Sequence, residues 1–247
     1  MKLRVLSYNI HRAIGVDRRF RPERVVSILG YYTPDVVMLQ EVDDGAPRSR
    51  GPDLGPELAR ALGYEHWAIG HNVALRKGRY GNATLSRWPI LRERNIDLTV
   101  GFRKRRGCQH TRIAVKAGGG RTRQLEAFNL HLGLSARERE RQVTLLARSR
   151  EFASLPFGTP TIVAGDYNDW RSLLRPFFVD MLGFRSATGG NADRERAIAT
   201  FPSFFPQVAI DRIYYRGPLQ LAAARRCRLA LSRVASDHLP VIADFDV

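Results

Sequence analysis

The chain has 247 residues, of which 44% are hydrophobic. It is long enough to bury one substantial core, and we expect a single domain over residues 1–247. No run approaches the roughly 18 uninterrupted apolar residues of a membrane-spanning helix, and the first residues indicate a strand instead of a secretory signal, which predicts a soluble protein. The formal net charge of +16 favours a polyanionic partner, either nucleic acid or an anionic lipid surface.

Two features of the composition leave alternatives open. Only four of the 40 basic residues are lysines, so a bias towards arginine would produce the same charge without a functional basic surface. Cys108 and Cys227 lack the CxxC spacing of a zinc site, which favours a reducing, cytoplasmic setting. The two thiols could still pair with each other, because the sequence gives no distance between them.

In chain order, apolar strands alternate with helical segments. An alternating first strand, MKLRVLSYNI, precedes a helix that begins near Pro22, and Pro34 introduces the next strand, DVVMLQ. A short helix over residues 58–62 ends at Gly63 as its C-terminal cap. Strands are then predicted at EHWAIG, GNATLS, RNIDLTV and TRIAVKA.

Further along the chain, the glycine run 118–120 predicts a hairpin turn into the strand RQLEAFNLHL. Ser135 and Glu138 match a capping box and predict a helix that continues to about Ala153, with the charges of ARERERQ facing water. The last strands are PTIVAG, AIDRIYYR and LPVIADFDV. Since helices join some strands and hairpins join others, we predict mixed parallel and antiparallel sheets, two packed together, with helices outside.

Polar clusters stand at the ends of several of these strands. They are Asn9 in LSYNIH, Glu41 in VVMLQEVD, His131 in FNLHLG, Asp166 and Asn168 in IVAGDYND, Asp211 in IDRIYY, and Asp237 with His238 in SDHLP. A strand that ends in a carboxylate, amide or imidazole delivers that group to one rim of its sheet. Several such strands can therefore assemble a metal and phosphate site from residues far apart in sequence.

With these motifs the chain resembles the endonuclease/exonuclease/phosphatase (DNase I-like) superfamily of metal-dependent phosphoesterases, over nearly its full length from Tyr8 to Pro240. The resemblance implies a four-layered α/β sandwich, in which two packed mixed β-sheets are flanked by helices. It also implies that the site lies at one end of the sandwich.

The resemblance assigns a metal site to three of these residues. Glu41 corresponds to the principal Mg²⁺ ligand, with Asn9 and Asp237 close to the metal directly or through water. Hard oxygen ligands suit Mg²⁺ or Mn²⁺. His11 stands where some members have a metal-binding acid, so a second metal-binding carboxylate from that strand is missing.

The resemblance assigns the catalytic roles to another group of residues. Asp166 resembles the residue that orients or deprotonates the attacking water, and Asn168 one that holds the phosphate. His238 corresponds to the imidazole that contacts a phosphate oxygen, and Asp211 to the carboxylate that orients it. The abasic-site endonucleases usually carry tyrosine where this chain has His131, so His131 favours the other branches and a second imidazole acting on the leaving group or a phosphate oxygen.

Two further residues are candidates for contacts with the substrate. Asn82 in YGNATLSRWP resembles a motif near the phosphate pocket, and Arg48 in the loop after Glu41 is a candidate contact to substrate phosphate. The loop over residues 200–202 is expected to shape the pocket. The dense basic run 103–106 either lines the rim of the site or faces away as a solvated surface.

Three functions fit these patterns. The first is a Mg²⁺-dependent nuclease acting on DNA or RNA, which the basic charge favours. The second is a phosphodiesterase or phosphatase acting on phospholipid, sphingolipid or inositol phosphate head groups, with Phe102 beside the basic run docking at an anionic membrane. The third is a non-catalytic binding protein with the same fold, which the complete polar set disfavours.

Overall fold

The computed structural model describes residues 1–51, 53–116, 120–189 and 197–247. Within these residues the strands are β1 (Lys2–Asn9), β2 (Val36–Asp44), β3 (His66–Ala74), β4 (Arg79–Ser86), β5 (Ile90–Asp97), β6 (Gly107–Lys116), β7 (Thr122–His131), β8 (Thr161–Asp166), β9 (Arg185–Ser186), β10 (Asp211–Arg216), β11 (Gln220–Arg226) and β12 (Val241–Asp246). The helices are α1 (Pro22–Tyr32), α2 (Leu54–Leu62), α3 (Ala136–Arg148), α4 (Arg150–Ala153) and α5 (Ser232–Ala235).

The strands form two six-stranded sheets. The first has the order β11-β12-β1-β2-β4-β3, and the second the order β5-β6-β7-β8-β10-β9. Each contains one parallel pair, β1 with β2 and β7 with β8, and the other pairs are antiparallel. The predicted mixed sheets are confirmed.

Three apolar clusters define four layers. Inward-facing residues of both sheets, among them Val5, Met38, Ile113 and Ile162, form the central cluster. A second cluster lies between the first sheet and α1 and α2, and a third lies between the second sheet and the helices that follow β7. Side chains alternate across a strand, so each sheet buries one face against its partner and the other against helices.

Several local predictions meet different outcomes. The helix after Pro22 and the left-handed Gly63 cap (φ +71°) are confirmed, although α2 begins four residues earlier than predicted. Helix α3 follows Ser135, but that hydroxyl makes no capping hydrogen bond, and the helical segment is interrupted at Ser149. β6 and β7 pair antiparallel, whereas the predicted turn at glycines 118 and 119 lies outside the described residues.

Cys108 and Cys227 are both buried, free thiols in different apolar clusters, so the open alternative that they pair is excluded. In the ranges that the structure describes, no helix has the length and apolar character to span a membrane.

Candidate active site

The register of the second sheet brings three of the predicted residues side by side. Asp166, at the end of β8, pairs with His131 at the end of β7 and with Asp211 at the start of β10. Adjacent strands lie about 4.8 Å apart, so pairing in register places these side chains in one row at the sheet rim. From the first sheet, Asn9 ends β1, and His238 lies just before β12.

Glu41 reaches the same rim through an irregularity in β2. The pairing of β2 with β4 shifts register between Leu39 and Val42, and Glu41 itself has a left-handed backbone (φ +57°). Bulges re-aim side chains, and a left-handed non-glycine residue costs about 1 kcal/mol or more, so such residues concentrate at functional sites. The irregularity turns the Glu41 carboxylate towards the cavity that the other polar residues line.

Both oxygens of the buried Asp166 carboxylate accept hydrogen bonds. Asn9 Nδ2 donates to Oδ2 at 3.0 Å, and the backbone N–H of Asn168 donates to Oδ1 at 2.9 Å. Burial raises the pKa of Asp166, and the positive charge of His238 opposes that shift without cancelling it. A carboxylate with a raised pKa, held in one orientation, has the properties of a general base.

His238 is held by a second carboxylate. Its Nδ1 lies 3.0 Å from Asp211 Oδ2, which also accepts a hydrogen bond from Thr200 Oγ1, and its Nε2 lies 3.7 Å from Asp166 Oδ2. Burial favours the neutral ring, but Asp211 and Asp166 outweigh it and raise the pKa of His238 to about 10. The ring is therefore an imidazolium at neutral pH.

His131 has the opposite character. Its Nε2 lies 3.5 Å from Asp166 Oδ2, but burial, followed by the positive charges of Arg106 and His238, holds the pKa of His131 well below its ordinary value. One imidazole of the site is thus charged and the other neutral.

These residues line a cavity of about 390 Å³. Its wall also includes four residues with basic or aromatic side chains: Lys104, Arg106, Trp170 and Phe201. Of the two alternatives for the basic run, the structure thus places Lys104 and Arg106 at the site. Phe201 belongs to the loop predicted to shape the pocket. No sequence motif singled out Trp170, although it lies two residues after Asn168 in the same loop.

The ring of Trp170 packs against Arg139, which forms a buried ion pair with Asp169. Arg139 lies with its guanidinium carbon 5.5 Å from the centre of the Trp170 ring and its Nη2 3.4 Å from Asp169 Oδ1. Arg139 also donates a hydrogen bond to the Leu134 carbonyl oxygen. The prediction that the charges of ARERERQ face water is therefore wrong for Arg139 and for Glu138, which are 2% and 6% exposed, because tertiary partners bury them.

A sequence profile of the Endonuclease/Exonuclease/phosphatase family matches residues 6–238. The chain belongs to this family. Over 264 aligned residues it is 31% identical to the uncharacterized protein YbhP of Escherichia coli K12, covering 98% of this chain and 95% of YbhP.

Solved structures share the fold at lower identity. An endonuclease/exonuclease/phosphatase from Beutenbergia cavernae DSM 12333 gives a TM-score of 0.80 at 21% identity, over 100% of this chain and 72% of that one. D. rerio TDP2 complexed with a single-strand DNA product gives a TM-score of 0.73 at 20% identity, over 100% of this chain and 99% of that one. The mannosyl-6-phosphatase Bt3783 of Bacteroides thetaiotaomicron VPI-5482 gives a TM-score of 0.72 at 18% identity, over 99% of this chain and 100% of that one.

The DNase I-like fold predicted from the sequence is confirmed. Enzymes of the endonuclease/exonuclease/phosphatase family hydrolyse phosphoester bonds, and this chain is a phosphoesterase of that family.

Metal dependence is typical of the endonuclease/exonuclease/phosphatase family, and the surroundings of Glu41 fit a metal ligand. Its Oε2 is buried, has no hydrogen-bond partner among the described residues, and lies 3.5 Å from Arg12 Nε. Asn9 and Asp237 line the same cavity, with Asp237 Oδ1 3.9 Å from His11 Nδ1. An unsatisfied carboxylate oxygen beside further oxygen donors suits a hard divalent cation.

A second group could also hold a metal. Asp166, Asp211 and His238 offer ligand atoms that all lie within 4.8 Å of one another. However, both Asp166 oxygens accept hydrogen bonds, from Asn9 and Asn168, and Asp211 Oδ2 accepts one from Thr200, whereas Glu41 Oε2 has no such partner among the described residues. The Glu41 group is therefore the better fit.

The two predicted substrate-binding residues outside the polar motifs lie away from this cavity. Asn82 is buried between the sheets, where its amide donates hydrogen bonds to the carbonyl oxygens of Gly107 and Asn129. Arg48 forms two hydrogen bonds with the buried carboxylate of Asp43, at 2.8 and 2.7 Å. Asn168 does line the cavity, while its side-chain amide donates to the Leu132 carbonyl oxygen and its backbone positions Asp166.

Proposed function

We propose that this phosphoesterase is a Mg²⁺-dependent nuclease that hydrolyses phosphodiester bonds of DNA or RNA by in-line attack of water. The observation that carries the proposal is the meeting of a hydrogen-bonded carboxylate, an imidazolium and a neutral imidazole in one cavity with Lys104 and Arg106. We place the protein in the cytoplasm, whose reducing conditions would keep the two thiols unpaired.

In the proposed reaction, Asp166 accepts a proton from the attacking water at one carboxylate oxygen. The His238 imidazolium donates from Nε2 to a phosphoryl oxygen and stabilises the negative charge that develops there, while Asp211 holds Nδ1. His131, being neutral, supplies a hydrogen bond to the leaving oxygen or a phosphoryl oxygen. As the bond between the water oxygen and phosphorus forms, the bond between phosphorus and the leaving oxygen breaks, the leaving oxygen takes a proton from solvent water, and Asp166 afterwards releases its proton to solvent. Mg²⁺ or Mn²⁺ held by Glu41, Asn9 and Asp237 would neutralise charge on the phosphoryl and leaving oxygens.

The cavity wall favours nucleic acid as the substrate. Lys104 and Arg106 provide positive charge for the phosphate backbone, and the rings of Trp170 and Phe201 provide faces on which a base can stack. Combined positive charge and aromatic faces are the usual means by which proteins hold single-stranded nucleic acid.

One observation favours the second candidate, a lipid or inositol phosphate head group. Phe102 is fully exposed in the loop between β5 and β6, next to the basic residues 103–105. An exposed aromatic ring beside basic side chains is suited to an anionic lipid surface.

A substrate panel separates these candidates. Plasmid DNA, RNA, bis-p-nitrophenyl phosphate, p-nitrophenyl phosphate, sphingomyelin and inositol phosphates are each incubated with Mg²⁺, Mn²⁺ or EDTA. We expect cleavage of nucleic acid and of the diester with Mg²⁺ and none with EDTA. Cleavage of a lipid or inositol substrate alone would support the second candidate, and no cleavage of any phosphoester would support a non-catalytic protein.

Substitution of the proposed catalytic residues tests the mechanism. We expect Asp166→Asn and His238→Gln each to lower kcat on bis-p-nitrophenyl phosphate by about 10² to 10⁴, the usual contribution of a general acid or base. Circular dichroism should show that both variants are folded. Arg123→Gln, far from the motifs, serves as the control, and near-wild-type turnover in either site variant would reject the assignment.

A further inference from the structure

A second concave site, the arginine cavity, has a strongly positive wall. Five arginines line a cavity of about 770 Å³, namely Arg18, Arg19, Arg21, Arg48 and Arg50, and Glu23 is the only acidic residue among the described residues of its wall. It is larger than the cavity at the catalytic residues and shares no lining residue with it.

Most of this charge is not neutralised by the protein. Arg48 pairs with Asp43, and Arg21 lies 3.2 Å from Glu23. Among the described residues, the guanidinium groups of Arg18, Arg19 and Arg50 have no carboxylate within 4.0 Å. Like charges gathered in one concave surface repel one another, and low-dielectric walls focus their field, so an anion in the cavity is favoured.

The two chain segments that line the arginine cavity adjoin residues on the side of the active site where Glu41 lies. Residues 14–23 continue directly from His11, which lines the active-site cavity, and Arg12, which faces Glu41. The backbone N–H of Arg21 donates to the Ala13 carbonyl oxygen, which closes this loop. On the other side, the residues that contain Arg48 and Arg50 follow the end of β2, the strand that carries Glu41.

We propose that the arginine cavity is a second phosphate-binding site, which holds the backbone of a single-stranded nucleic acid beyond the scissile bond, on the side of Glu41. The inference rests on the proposed nuclease function and names where the rest of that substrate binds. A flexible strand enters a concave site and places several phosphates among its arginines, whereas a planar lipid surface touches only the rim. Phe20, in the same wall, offers an apolar face to a base or sugar.

Binding in the absence of turnover tests the cavity independently of the chemistry. The probe is a fluorescein-labelled oligothymidylate of 20 nucleotides, titrated in EDTA and followed by fluorescence anisotropy at several salt concentrations. The test variant is Arg18→Gln/Arg19→Gln/Arg50→Gln, in which all three residues are exposed and glutamine keeps a long polar side chain. Far-UV circular dichroism and Tm establish that it is folded.

The matched control removes the same charge from another surface. Arg137, Arg141 and Arg148 are exposed on α3, line neither cavity, and have no carboxylate within 4.0 Å among the described residues. Arg137→Gln/Arg141→Gln/Arg148→Gln therefore has the same net charge as the test variant. Anionic vesicles of phosphatidylglycerol and phosphatidylcholine, assayed by co-sedimentation, complete the comparison.

We expect the test variant to bind the oligonucleotide about tenfold more weakly or worse at low salt, and the slope of log K against log salt to fall by about 2, as loss of three contacts to a single strand predicts. The control should change both quantities far less. Equal losses in the two variants, no loss in the test variant, or a selective loss of vesicle binding would each overturn the proposal. Hydrolysis of bis-p-nitrophenyl phosphate but of no oligonucleotide by the wild-type protein would instead reject the nuclease function.

Discussion

At the scale of single residues, the site separates two titrating groups that lie close together. Burial makes Asp166 a weaker acid than usual, and two carboxylates make His238 a stronger base than usual. Groups whose environments shift their pKa values in this way take distinct roles in acid–base chemistry. At neutral pH the pair presents one anion and one cation to the substrate, which suits abstraction of a proton from water and stabilisation of a phosphoryl oxygen.

Trp170 is the residue for which we predict an effect on substrate affinity. Base–aromatic stacking contributes about 1 to 3 kcal/mol, so Trp170→Ala should raise KM for an oligonucleotide roughly 5- to 150-fold with little change in kcat. Trp170→Phe should keep most of the affinity because it keeps a stacking face. Steady-state kinetics of both variants, beside bis-p-nitrophenyl phosphate as a substrate with no base, measure the effect. A fall in kcat of the same size in both variants would show that the ring has a different role.

At the scale of elements, the β7–β8 pair is the part of the sheet on which the site depends most. Gly165 stands beside Leu130 in this pair, one position before Asp166 and His131. Its φ of +146° is open to glycine, and a Cβ there would lie 1.9 Å from the Leu130 carbonyl oxygen. No side chain fits between these two strands at that point.

Gly165→Ala should therefore push β7 and β8 apart. We expect it to destabilise the fold by about 2 to 4 kcal/mol and to lower kcat in the molecules that remain folded, because His131 and Asp166 move with their strands. Gly158→Ala is the control, since nothing lies within 4 Å of a Cβ at that position. Thermal unfolding and turnover below Tm give the two quantities, and similar Tm values for the two variants would contradict the prediction.

A buried ionic network links β6 and β7 outside the active site. The Glu126 carboxylate accepts hydrogen bonds from Arg112 Nε, at 2.6 Å, and from His110. Burial alone would raise the pKa of Glu126, but these two partners outweigh it and hold the pKa below its ordinary value of 4.5. Because the folded-state pKa is the lower one, the ionised carboxylate stabilises the fold above about pH 4.5, and this contribution is lost as pH falls.

Glu126→Gln should destabilise the protein by about 3 kcal/mol at pH 7, the usual effect of removing one partner from a buried ion pair. The difference in unfolding free energy between wild type and variant should shrink as pH is lowered from 6 to 3.5, as measured by urea unfolding. Glu140→Gln on the exposed face of α3 is the control and should show no such trend. A difference that stays constant across this pH range would argue against the ionic contribution.

Over the molecule as a whole, the sequence predicts the sandwich and the position of several polar residues at its rim for a local reason. Alternating apolar runs define strands, and a polar residue directly after such a run must lie at the end of that strand. Asp166 and His131 are examples, since each ends a strand and the two pair in register.

The sequence predicts worse where the outcome depends on distant partners. Asn82 lies inside β4, and the sheet face on which its side chain lies depends on a strand register that no local pattern defines. In the structure its amide lies between the sheets and donates a hydrogen bond to the Asn129 carbonyl oxygen. Arg48 follows Glu41 closely, but its guanidinium pairs with Asp43, and the residue lies in the wall of the arginine cavity instead of the active-site cavity. Helical periodicity predicts Arg139 at the surface, yet Asp169 and Trp170, some thirty residues away, bury it.

The position of β1 has a consequence for the order in which the protein is made. β1 lies between β2 and β12, so the edge that pairs with residues 241–246 stays open until those residues have been synthesised. His238, just before that last strand, is also synthesised late. A nascent chain on the ribosome therefore carries Asn9 and Glu41 without the imidazolium opposite them.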